Sequence, residues 1–132
     1  MLLAFINSAD KLHSIAAELF RRVMLSKLQA SVASSALLEL ELLTRTRRYP
    51  EAEIREVLRA FKAIPNLGEE ALSSDVMVLA SELRERYHLT FFDSLHAATA
   101  ILSDRQIIST DEAYGRLTPE GLIWLRPEEL LR

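Results

Sequence analysis

The stretch Phe91-Phe92-Asp93-Ser94-Leu95-His96-Ala97-Ala98-Thr99-Ala100, followed by Ile107-Ile108-Ser109-Thr110-Asp111, decides the fold. Its first part puts a carboxylate at the opening of an alanine-rich apolar helix. Its second part is a short β-branched run that ends on another carboxylate, eighteen positions beyond the first. A helix followed by such a run reads as α/β, a class in which strand ends and helix starts can meet at one point. Two acids at such a point suit a hard divalent cation better than they suit a core.

Outward from this stretch, three glycines and four prolines leave little punctuation, so loops should be short and helices should dominate. Met1 to Ile6 is a continuous apolar run that predicts a buried parallel strand beginning at or before the first residue. Leu12, Ile15, Ala16, Leu19, Phe20 and Val23 then recur at three and four, an amphipathic helix with Asp10 placed to cap it. Val32-Ala33 closes a short second strand, and Ser34 or Ser35 caps a helix carrying Leu38, Leu42 and Leu43. Pro50 fits the first turn of a further helix with Ile54, Val57, Leu58 and Phe61 on one face, ending near Pro65-Asn66-Leu67-Gly68. Leu72, Val76, Leu79, Ala80, Leu83 and Tyr87 mark another helix. The Phe91–Ala100 helix, a Gln106–Ser109 strand and the apolar run Leu122-Ile123-Trp124-Leu125 follow. Strands alternating with helices predict a mostly parallel sheet with helices on its faces and a site at the carboxyl ends of the strands.

With 132 residues the chain can build one hydrophobic core and not two comfortable ones, so a single domain over 1–132 is expected. The absence of cysteine excludes a disulfide framework, a thiolate metal site and a cysteine nucleophile. Three scattered histidines, His13, His88 and His96, argue against a histidine-rich transition-metal site, so a bound metal would be held by oxygen: magnesium or manganese. No apolar run reaches the ~18 residues a membrane span needs, and no basic residues precede the first apolar run, which reads as a cytoplasmic protein. A net charge of −3 argues against a broad nucleic-acid-coating surface and leaves room for a local basic patch.

Three acids carry the candidate chemistry: Glu39 within a leucine-rich helix, Asp93 at the start of the alanine-rich helix, and Asp111 just past the Ile107-Ile108 strand. Each has a plain structural reading: a solvated helix residue, a helix cap or first-turn acid, and a turn aspartate. Their case rests on the set. In this order and context the chain resembles a PIN-domain nuclease, most like the toxin half of VapC-type toxin–antitoxin pairs. The matching residues are Leu38-Glu39-Leu40, Asp93 to Ala100, and Ile108-Ser109-Thr110-Asp111 with Tyr114 beyond, together with Leu2-Leu3-Ala4-Phe5 and Asp10-Lys11-Leu12-His13 near the start.

The resemblance implies a three-layer α/β/α fold with a mostly parallel central sheet. It also implies a magnesium- or manganese-dependent endoribonuclease in which Glu39, Asp93 and Asp111 are catalytic and metal-binding or metal-positioning. It further implies RNA as substrate, a cognate antitoxin as partner, and a homodimer. One departure stands out. The family's first-strand aspartate would fall just ahead of Met1, so the first strand looks truncated and the site incomplete. The alternative is therefore a catalytically impaired PIN-like module that binds RNA or a protein.

Several residues are weighed against plainer roles. Glu39 and Glu41 are two apart on a helix and cannot both face one site; Glu39 fits the family pattern better. His96 shares a helix side with Asp93 and reads as a packed, hydrogen-bonded histidine, since nothing nearby marks a nucleophile for it to activate. Arg45, Arg47, Arg48 and Tyr49 form a dense basic cluster. It reads equally as RNA contact with a stacking tyrosine or as arginines favoured at a helix C-terminus. Ala97, Ala98 and Ala100 read as tight packing. A receiver-like reading fails because no lysine follows Lys62.

Overall fold

The computed structural model describes residues 1–132, which group into two compact units. The first comprises Met1–Val32, Ala36–Glu69 and Leu131; the second comprises Ala33–Ser35, Glu70–Leu130 and Arg132.

The first unit holds α1 (Leu2–Ile6), α2 (His13–Met24), most of β1 (Ser31–Ala33) and of α3 (Ser34–Thr46), α4 (Glu51–Lys62) and most of β2 (Gly68–Glu70). The opening apolar run is a helix and not the expected strand: Phe5 N–H donates to Met1 O at 3.0 Å and Asn7 N–H to Leu3 O at 3.0 Å. Six apolar residues carry no period that separates a strand from a buried helix. A helix satisfies backbone groups internally, where a strand needs a neighbour. As a helix the run also delivers Leu2, Leu3, Phe5 and Ile6 to a core of Phe20, Leu40, Phe61 and Ile64. Phe5 lies 4.5 Å from Phe20 and 5.7 Å from Phe61 between ring centroids, tilted in both pairs, the geometry aromatic rings prefer.

The amphipathic pattern of α2 behaves as read, with Ala16, Leu19, Phe20 and Val23 buried. Its cap differs. Leu12 holds the N-cap position, and Asp10 supports the turn ahead of it by accepting from Leu12 N–H at 2.8 Å. Pro50 sits at the N-cap of α4, whose Ile54 and Phe61 are buried. The strand β2 was not foreseen, because Gly68-Glu69-Glu70 shows no apolar alternation; Gly68 N–H donates to Ala30 O at 3.1 Å and ties it beside β1.

The second unit holds α5 (Ser74–Tyr87), α6 (Phe91–Ile101), β3 (Gln106–Ile108), a 3-10 helix (Glu112–Glu120), β4 (Ile123–Leu125) and α7 (Pro127–Leu130). Its core joins Val76, Ala80 and Leu83 of α5 to Leu95, Ala97, Ala98 and Ala100 of α6, with Tyr114, Leu117 and Leu122. The alanines of α6 thus pack within their own unit, and their small side chains let α5 and α6 approach closely. The expected parallel pairing is present: β3 runs parallel to β4 with Ile107 opposite Trp124. The strands are three residues each and pair two by two, β1 with β2 and β3 with β4. The 3-10 helix also escaped the sequence reading, since Gly115 and Pro119 interrupt any helical period. It ends at Gly121, whose φ of +83° is the left-handed conformation that glycine adopts without strain.

Two outcomes follow. Ala97→Leu, at a position with no solvent exposure, should destabilise the protein by about 1–3 kcal/mol in chemical denaturation, whereas Met77→Ala on the exposed face of α5 should stay within about 0.5 kcal/mol. Hydrogen bonds from Arg21, then Arg22, hold the Glu18 carboxyl down from 4.5 to about 2. A depressed carboxylate contributes stability above its unfolded value and loses it as pH falls through the folded one. The stability difference between wild type and Glu18→Gln should therefore be largest near neutrality and vanish between pH 4.5 and 2.

Candidate functional site

Asp93 lies in the first turn of α6, and the local backbone does not need its carboxylate. Thr90 is the N-cap, its hydroxyl oxygen accepting from Asp93 N–H at 3.4 Å. The Asp93 carboxylate instead accepts the Tyr114 hydroxyl at 3.2 Å through Oδ1, and its other oxygen takes no protein hydrogen bond.

Asp111 is exposed and caps the 3-10 helix, its Oδ1 accepting from Ala113 N–H at 2.9 Å. A rigid anchor sets its place. Ser109 N–H donates to Leu125 O at 3.1 Å, Trp124 Nε1–H donates to Ser109 O at 2.8 Å, and Ser109 Oγ accepts from Asp111 N–H at 3.0 Å. The β3–β4 ladder thus fixes Ser109, Ser109 fixes Asp111, and the turn capped by Asp111 carries Tyr114 to Asp93. Asp93 and Asp111 belong to one linked assembly within the second unit.

Glu39 lies in the first unit, half-buried on α3. Burial holds the Met1 amino group below its ordinary value, while the charges of Asp10 and Glu39 pull it back up. Asp10 and Glu39 therefore act on one point of that unit. In the sequence Asp10 reads as a helix cap and as part of the Asp10-Lys11-Leu12-His13 segment that resembles the family, not as a member of the acid set. Glu41 points elsewhere and pairs with Arg45 at 3.5 Å.

Other residues near Asp93 have structural work. His96 Nδ1 shares a hydrogen bond with the buried Ser35 hydroxyl at 2.8 Å, and the His96 ring stacks on Phe92. Ser94, fully buried beside Asp93, donates to Phe91 O at 2.6 Å and accepts from Arg84 at 2.7 Å, while the Arg84 guanidinium lies over the Phe91 ring. In the basic cluster, Arg45 is taken up by Glu51 and Glu41, so its charge is compensated, whereas Arg47, Arg48 and Tyr49 are exposed. A cavity of about 320 Å³ opens among Thr110, Glu112, Arg126, Glu128, Glu129 and Arg132, and none of the three acids lines it.

The donors fit a hard cation in kind: all are carboxylate oxygens, and Asp93 keeps one oxygen open. Neither unit gathers three or more His, Cys, Asp or Glu side chains for a metal within itself. Magnesium asks for less, since it commonly takes one or two carboxylates and keeps its waters.

The PIN-domain family model matches residues 1–118, from the opening helix through the turn that carries Tyr114. The chain belongs to the PIN-domain family. Its α/β class with parallel pairing is the class the sequence pointed to. Among solved structures, VapBC2 from Rickettsia felis, crystallised bound to a DNA fragment from their promoter, is similar in fold with a TM-score of 0.67. The likeness covers 95% of this chain and 92% of that one at 18% identity. No curated protein matches the chain. No helix of this PIN domain is long and apolar enough to cross a membrane.

Removing the buried hydroxyl beside Asp93 tests the local frame. Ser94→Ala takes away the acceptor of Arg84 and should lower stability by about 1–3 kcal/mol in urea denaturation.

Proposed function

We propose that this PIN domain is a magnesium- or manganese-dependent endoribonuclease, the toxin of a toxin–antitoxin pair. The observation that carries the reading is the Asp93 carboxylate. It stands in the first turn of α6 of a PIN-family chain, hydrogen-bonded to Tyr114 through one oxygen and left with the other open. On this reading Asp93, Asp111 and Glu39 hold or position the cation. Bound there, it supplies an acidified water and neutralises charge developing on the scissile phosphodiester.

The chain's own residues do the rest. Asp93 presents the carboxylate oxygen that the Tyr114 hydrogen bond leaves open. We assign the third acid's role to Glu39 and not Glu41, because the resemblance to the family falls on Leu38-Glu39-Leu40. Arg47 and Arg48 offer phosphate contacts and Tyr49 a stacking face for RNA, whereas Arg45 is already neutralised. The fold likeness to VapBC2 supports an antitoxin as partner. Exposed Leu38, Leu42 and Leu43 along α3 are apolar surface of the kind that a partner or a second copy in a homodimer covers. We place the reaction in the cytoplasm.

Incubation of the purified protein with structured RNA and tRNA, with Mg²⁺ or Mn²⁺ and with chelator, tests the proposal. Cleavage should require the metal. Asp93→Asn and Glu39→Gln should each lower it by more than the roughly 10–100-fold that loss of an outer hydrogen-bond partner costs at a metal site, while Glu41→Gln should cleave like wild type. Undiminished cleavage by Asp93→Asn would sink the site assignment.

A further inference from the structure

Tyr114 is 3% exposed, and a buried phenol needs a partner for its hydroxyl. Its O–H donates to one oxygen of Asp93 at 3.2 Å, while its ring packs in the core shared by α5 and α6. The 3-10 helix that carries it starts at the Asp111 cap, three residues earlier, and that cap hangs from Ser109 at the end of the β3–β4 ladder. Nothing in this sequence of contacts is loose. The ladder, the Trp124 indole and the cap each restrain the turn, and the buried ring restrains the hydroxyl.

We infer that Tyr114 is a positioning residue, holding the Asp93 carboxylate in the one orientation that leaves its second oxygen directed to a divalent cation, and that Asp111 contributes to the same end by capping the turn that delivers Tyr114. The inference rests on the metal-dependent reading above and assigns a role that reading does not include. A carboxylate in a first helical turn has several rotamers open to it, and a cation must restrict them on binding. A hydroxyl that already holds one oxygen removes that entropy loss, as outer hydrogen bonds commonly do for metal ligands. The roles of the two aspartates then separate: Asp93 would meet the cation, and Asp111 would set the geometry through Tyr114.

Two measurements test this, one of them without metal. In chelator, unfolding midpoints of Tyr114→Phe, Asp93→Ala and the double variant should be non-additive, because the single changes remove the same hydrogen bond. Additive midpoints overturn the inference. With Mn²⁺, the dissociation constant followed by electron paramagnetic resonance should rise about 10-fold in Tyr114→Phe, with RNA cleavage approaching the wild-type rate at saturating metal. An unchanged dissociation constant overturns the inference while leaving the nuclease reading intact. Asn caps a turn about as well as Asp and Ala does not, so Asp111→Asn should bind Mn²⁺ more tightly than Asp111→Ala; equal losses would assign Asp111 to the cation directly and overturn its part here. A wild-type protein that binds no Mn²⁺ yet shows the non-additive midpoints removes the metal reading and this inference with it, and leaves the hydrogen bond as a purely structural one.

Discussion

A buried phenol cannot be left without a hydrogen-bond partner, and in this protein the partner is a candidate ligand. The Tyr114–Asp93 contact ties the first turn of α6 to the 3-10 helix, and both elements are packed on the same core as α5. For the hydroxyl to reach Asp93, the turn after β3 must begin where the β3–β4 ladder ends, which Ser109 and Trp124 enforce. The ladder is only three residues long. Its side-chain anchors explain how so small a sheet can hold the turn in place.

Backbone demands near the candidate residues are met by their neighbours. Thr90 caps α6, so Asp93 is spared from capping. Glu41 and Glu51 take up Arg45 at the end of α3. Ser94 satisfies Arg84 and Phe91 O within one buried hydroxyl. Hydroxyl groups close the structure locally around Asp93, whose carboxylate is held by Tyr114 through one oxygen. Asp111 is the exception, since its cap consumes one of its oxygens, and this is the physical ground for giving it a supporting part.

The long helices were legible because burial of one face imposes a three-and-four period on the sequence, as with Leu19, Phe20 and Val23 of α2 or Val76, Ala80 and Leu83 of α5. Ile107-Ile108 was legible as a strand through its β-branched run. Where the period is absent, the reading ran out. Met1 to Ile6 is apolar throughout and equally compatible with strand or helix; Phe20 and Phe61 decide in favour of the helix by offering it a surface. Gly68-Glu69-Glu70 pairs through its backbone, and side-chain patterning cannot report such pairing. The 3-10 helix is punctuated by Gly115 and Pro119, and its one unmistakable residue, Gly121, marks only its end.

The sequence by itself determined the family, the α/β class, and the candidates Glu39, Asp93 and Asp111, because order and chemical type along the chain carry that information. Tertiary structure alone decided what each candidate does locally. Two aspartates eighteen residues apart look alike in a sequence, yet one takes a phenol and keeps an oxygen open while the other closes a turn. That difference depends on which donors arrive beside each carboxylate. Tyr114 reaches Asp93 across twenty-one positions of chain, and only packing of the 3-10 helix on the core brings the two together.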